Sequence, residues 1–366
     1  MFIILALLIL FLLLLLELCW YFAHQVLRRK SDMKKRFVRI HKIEEGKDIT
    51  LQNTRETRRP GIFGLEGSEG QAIVGPVFAS DAQSVTRQLI HVEGKISPRT
   101  AGIWNTTIYG GKMQAQLNLP IEEVAVPTPL GDMPAWFVPG GSCWAILVHG
   151  ATANREQGLR VLPTLAECGL STLTITFRND AEAPASPDGL SHLGASEWED
   201  LEAGVRYALD HGAEQLILYG WSMGGTIVEL FLRQSALASH VRAVVLDSPI
   251  LNWRASLESI AKKNGLPAFF VRLVEPIILL RTGIRLSTLD LTTRSQGNSA
   301  ILLFHGTEDT IAPIALSDRF ASTHADIITY HRVPNAEHTQ CWNANGEKYE
   351  AILHAFLHNI LKKDAH

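Results

Sequence analysis

The stretch Leu216–Leu232, LILYGWSMGGTIVELFL, changes its hydrophobic pattern in the middle. Leu216-Ile217-Leu218-Tyr219 is a continuous apolar run of strand length, whereas Ile227, Val228, Leu230, Phe231 and Leu232 recur as one side of a helix. Between them stands Ser222, with Gly220 two residues before it and Gly224 two after. The segments on either side repeat the alternation. Upstream, EEVAVPTPL and PAWFVPG read as paired strands around Gly131-Asp132, and CWAILVHG reads as a buried strand. EQGLRVLPTLAECG has helical spacing and STLTITF is a strand. SEWEDLEAGVRYALDHG predicts a helix opened by a Ser196–Glu199 capping box and closed at Gly212. Downstream come the strands RAVVLDSPI, AILLFHG and DIITYHRVP, and a final helix EKYEAILHAFLHNILKK. Such alternation implies an α/β fold, a mostly parallel sheet with helices on both faces and ligands beyond the carboxyl ends of its strands.

A strand running into a helix through G-x-S-x-G is the signature of a nucleophile elbow. The turn strains the serine backbone, the glycines remove side chains that would collide, and the hydroxyl rises at the positive end of a helix. An ordinary packing turn would look the same, so partners decide. A serine hydroxyl needs a base, and the base needs an orienting carboxylate. LLFHGTEDTIAP places Asp309 just after a strand, and HRVPNAEHTQCW places His338 after the last strand. The order Ser222, Asp309, His338 is the one this topology requires. Asp247, ending the strand VVLD, is the competing acid and is kept as a structural or auxiliary residue. His331, Glu308 and Glu337 are read as surface residues. LVHGATANREQG supplies the loop for an oxyanion hole, with N–H donors from Met223 and Ala151. His149, ending a buried strand, is expected to fix that loop.

LVHG, GWSMGG, HGTEDTIAP and NAEH, in this order and spacing, resemble the α/β-hydrolase superfamily over roughly residues 120 to 360. Within it the chain is similar to the membrane-anchored bacterial serine esterases and prolyl-oligopeptidase-like hydrolases. Relatives carry a D-x-R-G-x-G-x-S loop where this chain has RND followed by Ser191-His192. The resemblance implies a serine hydrolase of acyl esters needing no metal or organic cofactor. A peptidase or amidase with the same triad, and a silent scaffold on the same fold, are the alternatives.

Composition bounds the rest. The 366 residues are 46% hydrophobic and 19% charged with a net charge of -3, which argues against a nucleic-acid binder. Cys19, Cys143, Cys168 and Cys341 are scattered, without metal or disulfide spacing. MFIILALLILFLLLLLELCWYF is long enough to cross a bilayer. Glu17 would cost on the order of 3 kcal/mol at the centre, less than the surrounding Leu, Ile and Phe return at ~0.3–0.6 each. Arg28, Arg29, Lys30, Lys34, Lys35, Arg36 and Arg39 follow it, and the positive-inside rule puts the remainder of the chain in the cytoplasm. No basic segment precedes the apolar run and no small-x-small site follows it, which disfavours a cleaved signal peptide.

The expected organisation is a transmembrane anchor over residues 1–23, a basic linker and small β-rich region over 24–115, and a catalytic domain over 116–366. A helical cap is expected at about 251–299, interrupted at Pro276. Phe269, Phe270, Leu273, Val274, Ile277, Ile278 and Leu280 recur there at helical spacing. They suit an acyl-binding lid, a membrane-touching surface, or a helix packed on the domain. His149, Asp180, His192 and Trp253 are candidate pocket residues, the partners being a small-molecule or lipid ester and the membrane.

Overall fold

Strands buried on both faces determine the architecture. In the computed structural model, which describes residues 1–28, 36–44, 46–293 and 299–362, eight strands form one sheet. They are β7 (Glu122–Thr128), β8 (Gly131–Val138), β9 (Gly141–Val148), β10 (Leu170–Ile175), β11 (Gln215–Trp221), β12 (Val241–Asp247), β13 (Ala300–Gly306) and β14 (Ile328–Val333). Their order is β14-β13-β12-β11-β9-β10-β8-β7. From β10 to β14 all neighbours are parallel, and the β7–β8 hairpin joins antiparallel to β10.

Alternate residues of each central strand enter opposite cores. Trp144, Ile146, Val148, Leu216 and Leu218 face one, while Ala145, Leu147, Ile217, Tyr219 and Trp221 face the other. Helices α3 (Trp198–Asp210) and α4 (Met223–Gln234) cover the first face. Helices α2 (Leu162–Glu167), α8 (Cys341–Ala344) and α9 (Gly346–Lys362) cover the second. The remaining helices, α5 (Trp253–Lys263), α6 (Phe270–Thr282) and α7 (Ile314–Thr323), add to the first core.

Residues upstream form a separate closed barrel of β1 (Phe37–Glu44), β2 (Asp48–Gln52), β3 (Phe63–Glu66), β4 (Glu69–Ser80), β5 (Ser84–Lys95) and β6 (Ala101–Asn105). Its apolar interior includes Ile40, Leu51, Phe63 and Trp104. One charge is buried with them: Arg87 donates to the carbonyls of Gly75, Thr57, Arg59 and Gly61 at 2.6–2.8 Å. Its guanidinium sits 5.3 and 5.4 Å from the Phe63 and Trp104 ring centres. Burial lowers its pKa to about 10. Asn343 ties the barrel to the sheet domain, donating to the carbonyls of Ile62 and Thr106.

The N-terminal helix α1 (Phe2–Leu27) is the one described helix long and apolar enough to cross a membrane. Residues 1–14 are exposed. From Leu15 a seam appears, with Leu15, Cys19, Phe22, Ala23, Val26 and Leu27 packed against the first core. Of the basic run, Arg28, Arg36 and Arg39 are described; Arg29, Lys30, Lys34 and Lys35 lie outside the described residues, as do cap residues 294–298.

Two local expectations are corrected. Ser196 does not cap α3, because its hydroxyl contacts His192 Nδ1 at 2.9 Å. The carboxylate of Glu197 collects the His192 and Gly194 N–H groups instead, at 2.8 and 2.9 Å. Helix α6 continues unbroken through Pro276. Pro276 is on the exposed side, where water can satisfy the backbone carbonyl that its missing N–H leaves without a donor.

Candidate active site

Ser222 ends the β11-to-α4 turn with φ 54° and ψ −116°, outside the regions favoured by L-residues. The glycines make that turn possible. A Cβ on Gly220 would sit 2.6 Å from the Gly224 carbonyl oxygen, and one on Gly224 would sit 2.1 Å from that of Val148. Gly150 lies over the serine, where a Cβ would come within 3.0 Å of Ser222 Cβ. The β9-to-α2 loop therefore passes directly beside Oγ.

The loops after β13 and β14 bring the other two residues to the same point. Ser222 Oγ is 2.7 Å from His338 Nε2, and His338 Nδ1 is 2.7 Å from Asp309 Oδ2. With Nδ1–H donating to the carboxylate, Nε2 presents a lone pair to the hydroxyl proton. Asp309 Oδ1 accepts from the N–H groups of Ile311 and Ala312, both at 2.8 Å. His305, which no sequence motif marks, is buried with Nε2 3.2 Å from Asp309 Oδ2 and 3.0 Å from the Ala312 carbonyl. Burial works to raise the Asp309 pKa. The His338 charge and the hydrogen bonds from His305 and His338 outweigh it and hold the carboxyl well below the usual range.

The N–H of Met223 opens α4 and has no acceptor within the helix. Ala151 follows Gly150, whose own N–H is engaged by Gln157 Oε1 at 2.8 Å, another contact the sequence did not reveal. Asp247 lies behind the site. It accepts from Ser248 Oγ at 2.9 Å and Tyr349 Oη at 3.3 Å, and Ser248 Oγ in turn accepts from the N–H of Thr339, next to His338.

Glu337 is not the surface residue expected. It is 7% exposed, accepts from Thr310 Oγ1 at 2.7 Å and pairs with Arg59 at 2.8 Å. Burial opposes its ionisation, but the Thr310 hydrogen bond and the charges of Arg59, Lys263 and Arg55 prevail and lower its pKa. Arg59 also reaches Glu308 at 3.6 Å. An arginine of the barrel region thus touches residues adjacent to both Asp309 and His338.

The four expected pocket residues do not line the cavity beside Met223. His149 is buried, with Nε2 2.8 Å from Asp180 Oδ2 and Nδ1 3.0 Å from the Gly150 carbonyl. Asp180 also accepts from the Phe177 N–H. His192 is held by Asp188 and Ser196, and Trp253 is buried in the first core at the start of α5. These side chains are consumed by packing and hydrogen bonding. The cavity, about 50 Å³, is instead lined by Ala151, Met223, Phe177, Arg178, Asn179 and Ser191, and by Gln25, Val26 and Arg28 from the end of α1. Arg178 is itself fixed by Asp200 at 2.8 Å.

Residues 146–289 match the family model described as alpha/beta hydrolase fold, and residues 39–105 match a domain of unknown function, DUF8805. No curated protein matches the chain. Among solved structures, the Pyrococcus furiosus esterase Pf2001 is similar with a TM-score of 0.55 at 20% identity, covering 68% of this chain and 95% of that one. Est1E from Butyrivibrio proteoclasticus, solved with ferulic acid bound, has a TM-score of 0.50 at 18% identity, covering 65% of this chain and 99% of that one. At these identities the likeness speaks to the fold.

Proposed function

We propose that this chain, which has the α/β-hydrolase fold, is a membrane-anchored serine hydrolase of carboxylic esters in which Ser222, His338 and Asp309 carry the reaction. The observation that carries the reading is the unbroken relay from Ser222 Oγ through His338 to Asp309, with 2.7 Å at each step. Ser222 Oγ attacks the ester carbonyl carbon while its proton passes to His338 Nε2. The N–H groups of Met223 and Ala151 hold the resulting oxyanion. Collapse breaks the carbon–oxygen bond to the alcohol, which leaves with the proton from His338, and the acyl group stays on Ser222. Water then attacks, gives a proton to His338, and the second collapse releases the carboxylic acid and returns that proton to Ser222.

Two features support anchoring by α1. From Phe2 to Leu18 its apolar side chains are exposed except at the half-buried Leu15, a run of the length that a bilayer span requires. Its second half is built into the domain, with Ala23 and Leu27 fully buried, as suits a segment that is retained rather than cleaved. The basic residues that follow favour the cytoplasmic side.

The test uses the full chain in detergent with p-nitrophenyl esters of increasing acyl length, the matching p-nitroanilides, and Ser222→Ala. Ester turnover that vanishes in the variant is expected. Turnover of anilides alone would move the reaction to amides, and ester turnover retained by Ser222→Ala would refute the assignment.

A further inference from the structure

Helix α6 is apolar on two opposite sides. Phe270, Val271, Val274, Ile277 and Ile278 enter the core. Phe269, Leu273, Pro276 and Leu280, spaced four, three and four residues apart, form a second stripe exposed to the outside. Phe269 is 64% and Leu280 79% exposed, too much apolar surface on one helix to be casual. Arg272 flanks this stripe and is also exposed.

The contacts of α6 with α1 fix the direction in which the stripe faces. Phe270, at the start of α6, meets Phe22 edge to face at 5.6 Å, and Arg281, near its end, lies 5.1 Å from the Trp20 ring centre. Trp20 and Phe22 are separated by only ~3 Å along α1, whereas Phe270 and Arg281 are ~16 Å apart along α6. The two helices therefore cross instead of running side by side. At ~100° per residue, Phe270 and Arg281 each sit a quarter-turn round α6 from the neighbouring stripe residue, Phe269 or Leu280. The side opposite the stripe, with Val271 and Ile278, is buried in the domain. A stripe perpendicular to the α1 contact and opposite the domain points back along α1 towards its exposed apolar half.

We propose that the Phe269–Leu273–Pro276–Leu280 stripe lies in the headgroup–acyl boundary of the bilayer that α1 crosses, so that the site takes acyl esters resident in that leaflet. This rests on the ester-hydrolase reading above and names its substrate class. An in-plane helix with one apolar stripe and a basic flank is the form that binds a lipid boundary. Trp20, beside Arg281, marks the interfacial level where tryptophan is favoured. The cavity next to Met223 is closed by Gln25, Val26 and Arg28, only ~8–12 Å further along the chain of α1. An ester drawn a short way out of the leaflet along α1 reaches Ser222, and the anchor itself forms part of the passage.

The experiment places the full chain in phosphatidylcholine vesicles. A bimane label is attached at Leu280→Cys, or at Ala351→Cys on the exposed side of α9, in a background lacking the four native cysteines. Brominated acyl chains should quench the label at 280 and leave that at 351 unaffected. Equal insensitivity at both positions would overturn the proposal. In the same vesicles, p-nitrophenyl palmitate held in the bilayer is compared with water-soluble p-nitrophenyl acetate. The Leu273→Asp/Leu280→Asp variant, altered only on the exposed side, should lose about tenfold on palmitate with acetate hydrolysis unchanged. An unchanged palmitate-to-acetate ratio would contradict the substrate assignment. A wild-type chain inactive on both esters but quenched at 280 would refute the ester-hydrolase reading while upholding the bilayer surface.

Discussion

Two histidine–aspartate pairs lie beside Ser222, one in the loops after β13 and β14 and one between the end of β9 and the loop after β10. Their distances hardly differ, 2.7 Å for His338–Asp309 and 2.8 Å for His149–Asp180. The second ring nitrogen separates them. His338 Nε2 faces a hydroxyl that can give up a proton, whereas His149 Nδ1 faces the Gly150 carbonyl, an acceptor. Both nitrogens of His149 thus point at acceptor oxygens, and neither is turned towards a hydroxyl whose proton it could take. A carboxylate beside an imidazole does not by itself make a catalytic pair; what the other nitrogen meets decides its use.

The comparison breaks most sharply at the carboxylates. Asp309→Asn should lower kcat by roughly 10⁴-fold through loss of the useful tautomer. Asp180→Asn should cost less than about tenfold in kcat while lowering stability by ~1–3 kcal/mol, since it weakens a buried hydrogen-bonding group. Steady-state kinetics and denaturant unfolding of the two variants check this, and equal kinetic losses would erase the distinction.

Acid sharpens it further. Because the folded protein holds Asp309 below the ordinary carboxylate pKa, its ionised form stabilises the fold at neutral pH. That contribution is lost as pH falls below about 4, the unfolded value, towards the lower folded one. The melting temperature of Asp309→Asn should therefore depend less on pH than that of the wild type between about pH 5 and 3. An identical slope would show that Asp309 does not titrate with unfolding.

A smaller effect is expected at the brace behind His338. Arg59→Met removes the nearer of two barrel-region partners of Glu337 and leaves the more distant Arg55, with Thr310 and Lys263, in place. We expect a loss of ~1–2 kcal/mol in stability, below the ~3–5 kcal/mol of a buried charge left wholly unpaired. A two- to fivefold fall in kcat should accompany it, with KM unchanged. Thermal melts and kinetics of this variant would show whether the barrel steadies the histidine loop.

The sequence made the central sheet legible because strands buried on both faces leave continuous apolar runs such as CWAILV and LILY. It also marked Gly220, Ser222 and Gly224, since a turn this tight restricts residue type locally. His305 was legible in principle, four residues before Asp309, but a buried histidine has no periodicity to announce it. Glu337 reads as a surface residue in any local window, because the partners that bury it are remote in sequence: Thr310, Lys263 and, nearly 280 positions away, Arg59. Partners in the fold also decide why the candidate pocket residues do not line the cavity beside Met223. His149, Asp180, His192 and Trp253 are chemically suited to a site, but their partners had already claimed them. The cavity was lined partly by Gln25, Val26 and Arg28, whose position depends on α1 folding back on α6.

The most direct test of the central claim is covalent. The full chain is treated with a fluorophosphonate, which transfers its phosphonyl group to an activated serine with loss of fluoride, and the modified peptide is identified by mass spectrometry. The account predicts stoichiometric labelling at Ser222, abolished in His338→Ala and retained in His149→Gln. Labelling that survives His338→Ala, or that falls on another serine, would contradict it.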